Sequence, residues 1–299
     1  MIVIQYLFIC LVFGTTFLAI KTGIGAGLPP LFFAFFRFFA ASVLLLGYLM
    51  LKKESLPKSW KTYGYLFLAG VLMTAVPFAA LFWAETRIDS GTAALMVATA
   101  PIFIGLIGKM TKWQWIGSGI GVFGIYLIFF TDFQSAGGFL SGIVPKASIM
   151  ISELFFAIGL MISKRLMGSG MSSKMLNGLQ MLFASIVLLA LSVIFEDPSK
   201  VQMNWQGAAS LFYLVVIASI IASNIYYRLV EKTNPLFPTT WTYVAPVIAI
   251  IVGALFLQEK LSLISGIGAL FVLGGVVLVN ALTLQGLIRR PQYRDKAAG

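Results

Sequence analysis

The chain alternates long apolar runs with short polar gaps, and each run approaches the roughly 20 residues that a helix needs to cross a bilayer core. With Lys, Pro and Gly as punctuation, the pattern predicts helices at 2–22, 31–51, 62–84, 91–109, 113–130, 145–165, 174–195, 207–230, 236–257 and 261–283. Membrane barrel strands would be about 9–11 residues long with alternating polarity, and no such alternation occurs. The expected fold is an all-α membrane protein of ten transmembrane helices.

Composition fixes the solvent. Of 299 residues, 60% are hydrophobic and 10% charged, against about 45–50% and 25% in soluble domains, and the mean hydropathy is +0.97. A net charge of +11 would suggest nucleic acid in a soluble protein, but here the basic residues lie between the spans. They read as topology determinants, so no nucleic-acid partner is expected and the lipid bilayer is. With the amino terminus inside, 15 of the 21 Lys and Arg fall in inner loops or the tail; the other six are Lys21, Arg37, Arg87, Lys146, Lys200 and Lys260. This bias predicts a multi-pass protein of the cytoplasmic membrane with both termini cytoplasmic. Met1 to Gln5 lacks a positive n-region, so the first apolar run reads as a retained helix. Residues 284–299 read as a basic cytoplasmic tail.

Candidate chemistry is sparse. There is no histidine, one cysteine (Cys10) and no GxxxxGK[ST] loop, so neither a metal site, a cofactor nor a catalytic residue is expected, and ATP drive within the chain is not indicated.

The chain repeats itself. At an offset of 143, Lys21 falls on Lys164, Arg37 on Gln180 and Ala41-Ser42 on Ala184-Ser185; at 145, Ala100-Pro101 falls on Ala245-Pro246 and Gly108 on Gly253. At 151, Gly117 falls on Gly268 and Gly124 on Gly275. The two units, 1–130 and 145–283, hold five spans each; an odd number makes the second enter the membrane from the opposite side. Inverted repeats place a substrate site at their interface near the midplane.

Several short motifs then align with a known family. Phe13-Gly14-Thr15-Thr16-Phe17 with Lys21 resembles a WGxxFxxxK opening, and Arg37-Phe38-Phe39-Ala40-Ala41 resembles RFxxA. Ala93-Ala94-Leu95 before Pro101, then Pro238, Pro246 and Glu259-Lys260, complete the order of the EamA family of ten-helix bacterial exporters in the drug/metabolite transporter superfamily. Two departures are Phe13 in place of tryptophan and the lack of a first-half counterpart to Glu259, since Lys109 runs almost directly into Lys112. The resemblance implies efflux of amino acids or related metabolites by alternating access. The alternatives from another class are an integral-membrane enzyme and a lipid flippase.

The candidate substrate-binding residues are Thr15, Thr16, Arg37, Phe82, Trp83, Thr99, Glu153, Gln180, Asn224, Tyr227, Trp241 and Tyr243. Rings and small polar groups suit a mostly apolar pocket with a few orienting contacts. Arg37 and Glu153 are the deepest charges, roughly 9 and 12 Å below the outer span ends at about 1.5 Å per residue. An unpaired charge there costs at least about 2.5–3.5 kcal/mol, so each is expected to face a wet cavity, a substrate charge or the other, although Arg37 has a stem long enough to snorkel. If substrate draws Arg37 away from Glu153, proton uptake there would couple transport to protons. Pro101 and Pro246, about ten residues into matched spans, are expected hinges because each removes a backbone bond. Lys21 and Lys164 end spans, where snorkelling to headgroups is the plain expectation. Gly117 and Gly121 form GxxxG, which leaves packing within the protomer and contact between two copies, a homodimer, both open.

Overall fold

A computed structural model describes residues 2–107, 111–133, 139–197, 201, 203–233, 236–257 and 263–288. All described elements are helical. We number them α1 (Ile2–Gly25), α2 (Pro30–Leu51), α3 (Trp60–Ala84), α4 (Ser90–Ile107), α5 (Lys112–Phe133), α6 (Phe139–Gly168), α7 (Ser173–Phe195), α8 (Trp205–Lys232), α9 (Phe237–Leu257) and α10 (Leu263–Ile288). Among the described residues, eight of these contain stretches long and apolar enough to cross a membrane. In α5 and α10 the described apolar stretches are shorter, Trp115–Gly124 and Gly266–Gly275. Gly108, Lys109, Glu259, Lys260 and the chain beyond Ile288 lie outside the described residues.

Local signals set the helix ends. Pro30 opens α2 at a position where its missing N–H costs nothing, and the amides of Leu31 and Phe32 donate to the two carboxylate oxygens of Glu196 at 2.7 and 2.8 Å. An acceptor of negative charge suits the positive end of the helix, so the end of α7 caps the start of α2. Asn204 caps α8 through the Gly207 amide at 2.8 Å.

Two helices are interrupted. α4 breaks at Ala98-Thr99 into Ser90–Val97 and Ala100–Ile107, just before Pro101. α9 breaks at Thr240 between a turn over Leu236–Thr239 and Trp241–Leu257, leaving Pro246 inside the longer piece. In α4 the break directly follows Val97, whose carbonyl Pro101 cannot bond, whereas in α9 the helix runs continuously through Pro246 and the break lies six residues before it. α3 and α8 carry π-helical segments, Val71–Ala75 and Tyr213–Ala222, which hydropathy gave no reason to expect.

α2 packs along α7, α1 along α9, and α5 along α10. The last pair meets at glycine: a Cβ on Gly275 would lie 2.4 Å from both Gly117 O and Gly121 N, and one on Gly124 would lie 2.5 Å from Gly268 O. The GxxxG face is therefore occupied within the protomer. Small residues let backbones approach this closely, and dispersion over that contact holds helices together where lipid supplies no hydrophobic drive.

Candidate functional site

A cavity with about 880 Å³ of empty space, including its opening, lies among α1, α2, α3, α4, α6, α7, α8 and α9. Helix rotation decides who reaches it. On α1, Phe13, Thr16 and Phe17 face inward, whereas Thr15 turns to the Leu11 and Val12 carbonyls and to Tyr213 Oη at 2.5 Å. On α3, the π-helical turn holds Met73 and Thr74 at the wall with Pro77, Phe78 and Leu81 beyond them. Inserting a residue into the helical register shifts every later side chain by about a quarter turn, and such segments recur at functional sites.

Arg37 and Glu153 both line the cavity and are 2% and 4% exposed. Arg37 therefore does not snorkel. Its Nε donates to Ser219 Oγ at 2.9 Å, Ser219 belonging to the π-helical part of α8. The guanidinium carbon lies 4.7 Å from the Phe38 ring centroid and 4.8 Å from that of Phe78. Two ring faces stabilise the charge electrostatically without spending its N–H donors. One terminal nitrogen, Nη1, has no hydrogen-bond partner. Among the described residues, Glu153 takes no hydrogen bond or ion pair, and none joins it to Arg37. The expected choice between a mutual pair and two separate charges resolves to separate charges in one cavity.

Gln180, which falls on Arg37 at the offset of 143, is also buried and is hydrogen-bonded through both its oxygen and its nitrogen. Tyr227 Oη donates to Gln180 Oε1 at 2.5 Å, and Gln180 Nε2 donates to Ser163 Oγ at 2.6 Å. This chain joins α6, α7 and α8 behind the cavity wall. Asn177 lines the cavity and donates to Asn224 Oδ1 at 3.1 Å and the Ser219 carbonyl at 3.2 Å. Trp241 completes an aromatic corner with Phe13, ring centroids 4.8 Å apart.

Of the candidates, Thr16, Arg37, Glu153, Tyr227 and Trp241 come together at the cavity. Gln180 and Asn224 support it from behind, and Phe82 packs edge-on against Phe33 and Phe78. Three lie apart. Trp83 sits under the Arg87 guanidinium, 4.2 Å from its ring; Thr99 donates to Met96 O at the α4 break; Tyr243 packs with Ile102 in a separate cluster. Phe38, Phe78, Phe156, Asn177 and Ser223 reach the cavity without having been expected there. Asn177 and Ser219 had a readable signal, a polar side chain deep in an apolar run; the phenylalanines had none.

Lys21 also departs from expectation. Lys21 Nζ is turned into the protein, where it donates to the Glu85 and Ile88 carbonyls at 2.7 Å each. Glu85, at the end of α3, is fully buried.

The EamA-like transporter family model matches residues 1–130 and 147–281, nearly the whole chain. The chain belongs to that family. This EamA-like transporter is 33% identical over 278 residues to an uncharacterized inner membrane transporter, YedA, of Escherichia coli K12, covering 90% of this chain and 87% of the relative. It is 25% identical to the uncharacterized transporter sll0355 of Synechocystis, covering 94% and 93%, and 26% identical to protein PecM of Dickeya dadantii, covering 91% and 90%. A solved crystal structure covers 93% of this EamA-like chain and 97% of its own with a TM-score of 0.68 at 14% identity, a likeness of fold alone.

Proposed function

We propose that this chain is a secondary transporter exporting small metabolites such as amino acids across the cytoplasmic membrane, with protons as the coupling ion. In this reading ten spans form two inverted five-helix halves that alternate access to one site. The observation that carries it is the pair of deep charges in one cavity, Arg37 with an unsatisfied donor and Glu153 with no hydrogen bond or ion pair among the described residues. A buried donor left unmade costs about 1–3 kcal/mol, so a substrate carboxylate on Arg37 would recover what the empty site forgoes. Glu153 then carries the exchanging proton. Internal matching supports two halves: α1 and α6 end at Gly25 and Gly168, and α2 and α7 begin at Pro30 and Ser173, each 143 apart. The π-helical segments fall in the third helix of each half.

Counterflow tests the reading. Proteoliposomes preloaded with unlabelled amino acids are expected to accumulate at least one labelled amino acid from a panel that also contains nucleosides, and to leave it chemically unchanged. A converted product would indicate an enzyme, and transbilayer movement of labelled lipid without solute exchange a flippase; either result overturns the proposal.

The same reading puts the Lys52 to Lys61 loop and the chain after Leu287 in the cytoplasm. Single cysteines introduced at Lys58 and at Arg294 are expected to resist an impermeant thiol reagent in intact cells and to react after permeabilisation, against little background from the buried native Cys10. Ready labelling of both in intact cells would reverse the orientation.

A further inference from the structure

Lys21 and Lys164 occupy equivalent places in the two halves, each four residues before the glycine that ends its helix. Their surroundings differ completely. Lys21 is drawn inward, with Nζ 2.7 Å from the Glu85 carbonyl that follows α3 and 2.7 Å from the Ile88 carbonyl in the turn into α4. Carbonyls at the end of a helix carry partial negative charge and lack partners in their own helix, so a cation bonded to them is favoured. Lys164 is exposed and takes no hydrogen bond or ion pair among the described residues.

The engaged lysine sits beside the cavity. Phe17, one turn before Lys21, and Leu81, one turn before Glu85, both line its wall. The Lys21 bonds therefore tie α1 to α3 immediately beyond the cavity, at one of its two ends.

We propose that Lys21 and Lys164 are matched gate latches: each ammonium closes one mouth of the cavity by seating on carbonyls at or just beyond the end of the third helix of its own half, and only one is engaged at a time. The proposal rests on the alternating-access reading above. In the state seen here Lys21 is seated; in the opposite state Lys21 releases and Lys164 moves onto the last carbonyls of α8, through Thr233. Two lysines with the same role on opposite faces would explain why one is bonded to carbonyls while its repeat partner is exposed. The seat consists of neutral carbonyls, and the change is one of position.

The test is pulsed electron spin resonance on the full chain in nanodiscs without substrate, in a Cys10→Ser background. One label pair, at Gly25 and Thr86, spans the Lys21 mouth; the other, at Gly168 and Glu231, spans the Lys164 mouth. Lys21→Gln is expected to raise the ratio of long to short distances at its own mouth about tenfold, the effect of losing one charge-assisted hydrogen bond, and to lower it at the other. Lys164→Gln is expected to do the reverse, and Lys21→Arg, which keeps charge and donors, to return most of the short population. Unchanged distributions in both glutamine variants, or both mouths loosening together, would overturn the latches while wild-type counterflow left the transport reading standing. Loss of wild-type counterflow would instead remove the reading on which they rest. If Lys21→Gln does not assemble, the exposed Lys164→Gln carries the same test: an unmoved distance at its mouth overturns the proposal.

Discussion

Glutamine in place of Glu153 is expected to leave substrate exchange running while abolishing the response of net flux to a proton gradient. The side chain is 4% exposed, lines the cavity and has no hydrogen bond or ion pair among the described residues. An ionised carboxylate without a partner at this depth is costly, whereas a protonated one is tolerated, so occupancy by a proton changes the energy of the site substantially. Glutamine keeps the shape and removes the proton site. Arg37→Gln is expected to act differently. Its guanidinium belongs to the cavity lining and keeps one buried donor without a partner, and a hydrogen bond to a charged group contributes about 1.5–3 kcal/mol, so half-saturation for exchange should rise roughly 10–100-fold. Exchange and proton-driven flux measured side by side in proteoliposomes check both. Wild-type proton dependence in the two variants would sink the coupling assignment.

The second large effect concerns stability. Gly275→Leu is expected to prevent α5 and α10 from closing, because even the first carbon added there would stand 2.4 Å from the Gly117 carbonyl oxygen and the Gly121 amide. The obstacle is backbone, which cannot rotate aside as a side chain can. Overpacking typically costs about 1–3 kcal/mol, and a clash with two main-chain atoms belongs at or above the top of that range. Its neighbour supplies the control. A Cβ on Gly274 meets nothing within 4 Å, so Gly274→Ala should leave thermal unfolding in detergent unchanged while Gly275→Leu lowers the midpoint by roughly 5–10 °C or abolishes monodisperse protein. Equal behaviour of the two variants would mean that the contact contributes little.

The positions of the candidates at the cavity follow from helix geometry. Successive residues point about 100° apart, so Thr16 reaches the cavity while Thr15 does not, and Trp241 does while Tyr243 does not. A sequence window locates such residues at the right depth without fixing their azimuth. In soluble helices a polar stripe marks the outward face; here lipid and protein interior are both apolar, and that marker is lost. Phe82 and Trp83 show the cost. Beyond the π-helical segment of α3 the cavity face passes through Phe78 and Leu81, leaving the two chosen rings off the wall.

The sequence by itself determined the solvent, the all-helical class, most of the spans and the family, because each depends on quantities that add along the chain: transfer free energy per residue, charge bias between runs, and the spacing of motifs. It also marked Arg37 and Glu153, since depth within an apolar run is countable. Only the tertiary structure decided that these two charges share a cavity without pairing, that Lys21 seats on the carbonyls of Glu85 and Ile88, and that the glycines of α5 are spent on α10. Those outcomes depend on which faces of distant helices meet. In a chain whose helices are apolar on every side, that choice is made by close backbone packing and by the few buried polar bonds, neither of which leaves a periodic trace in the sequence.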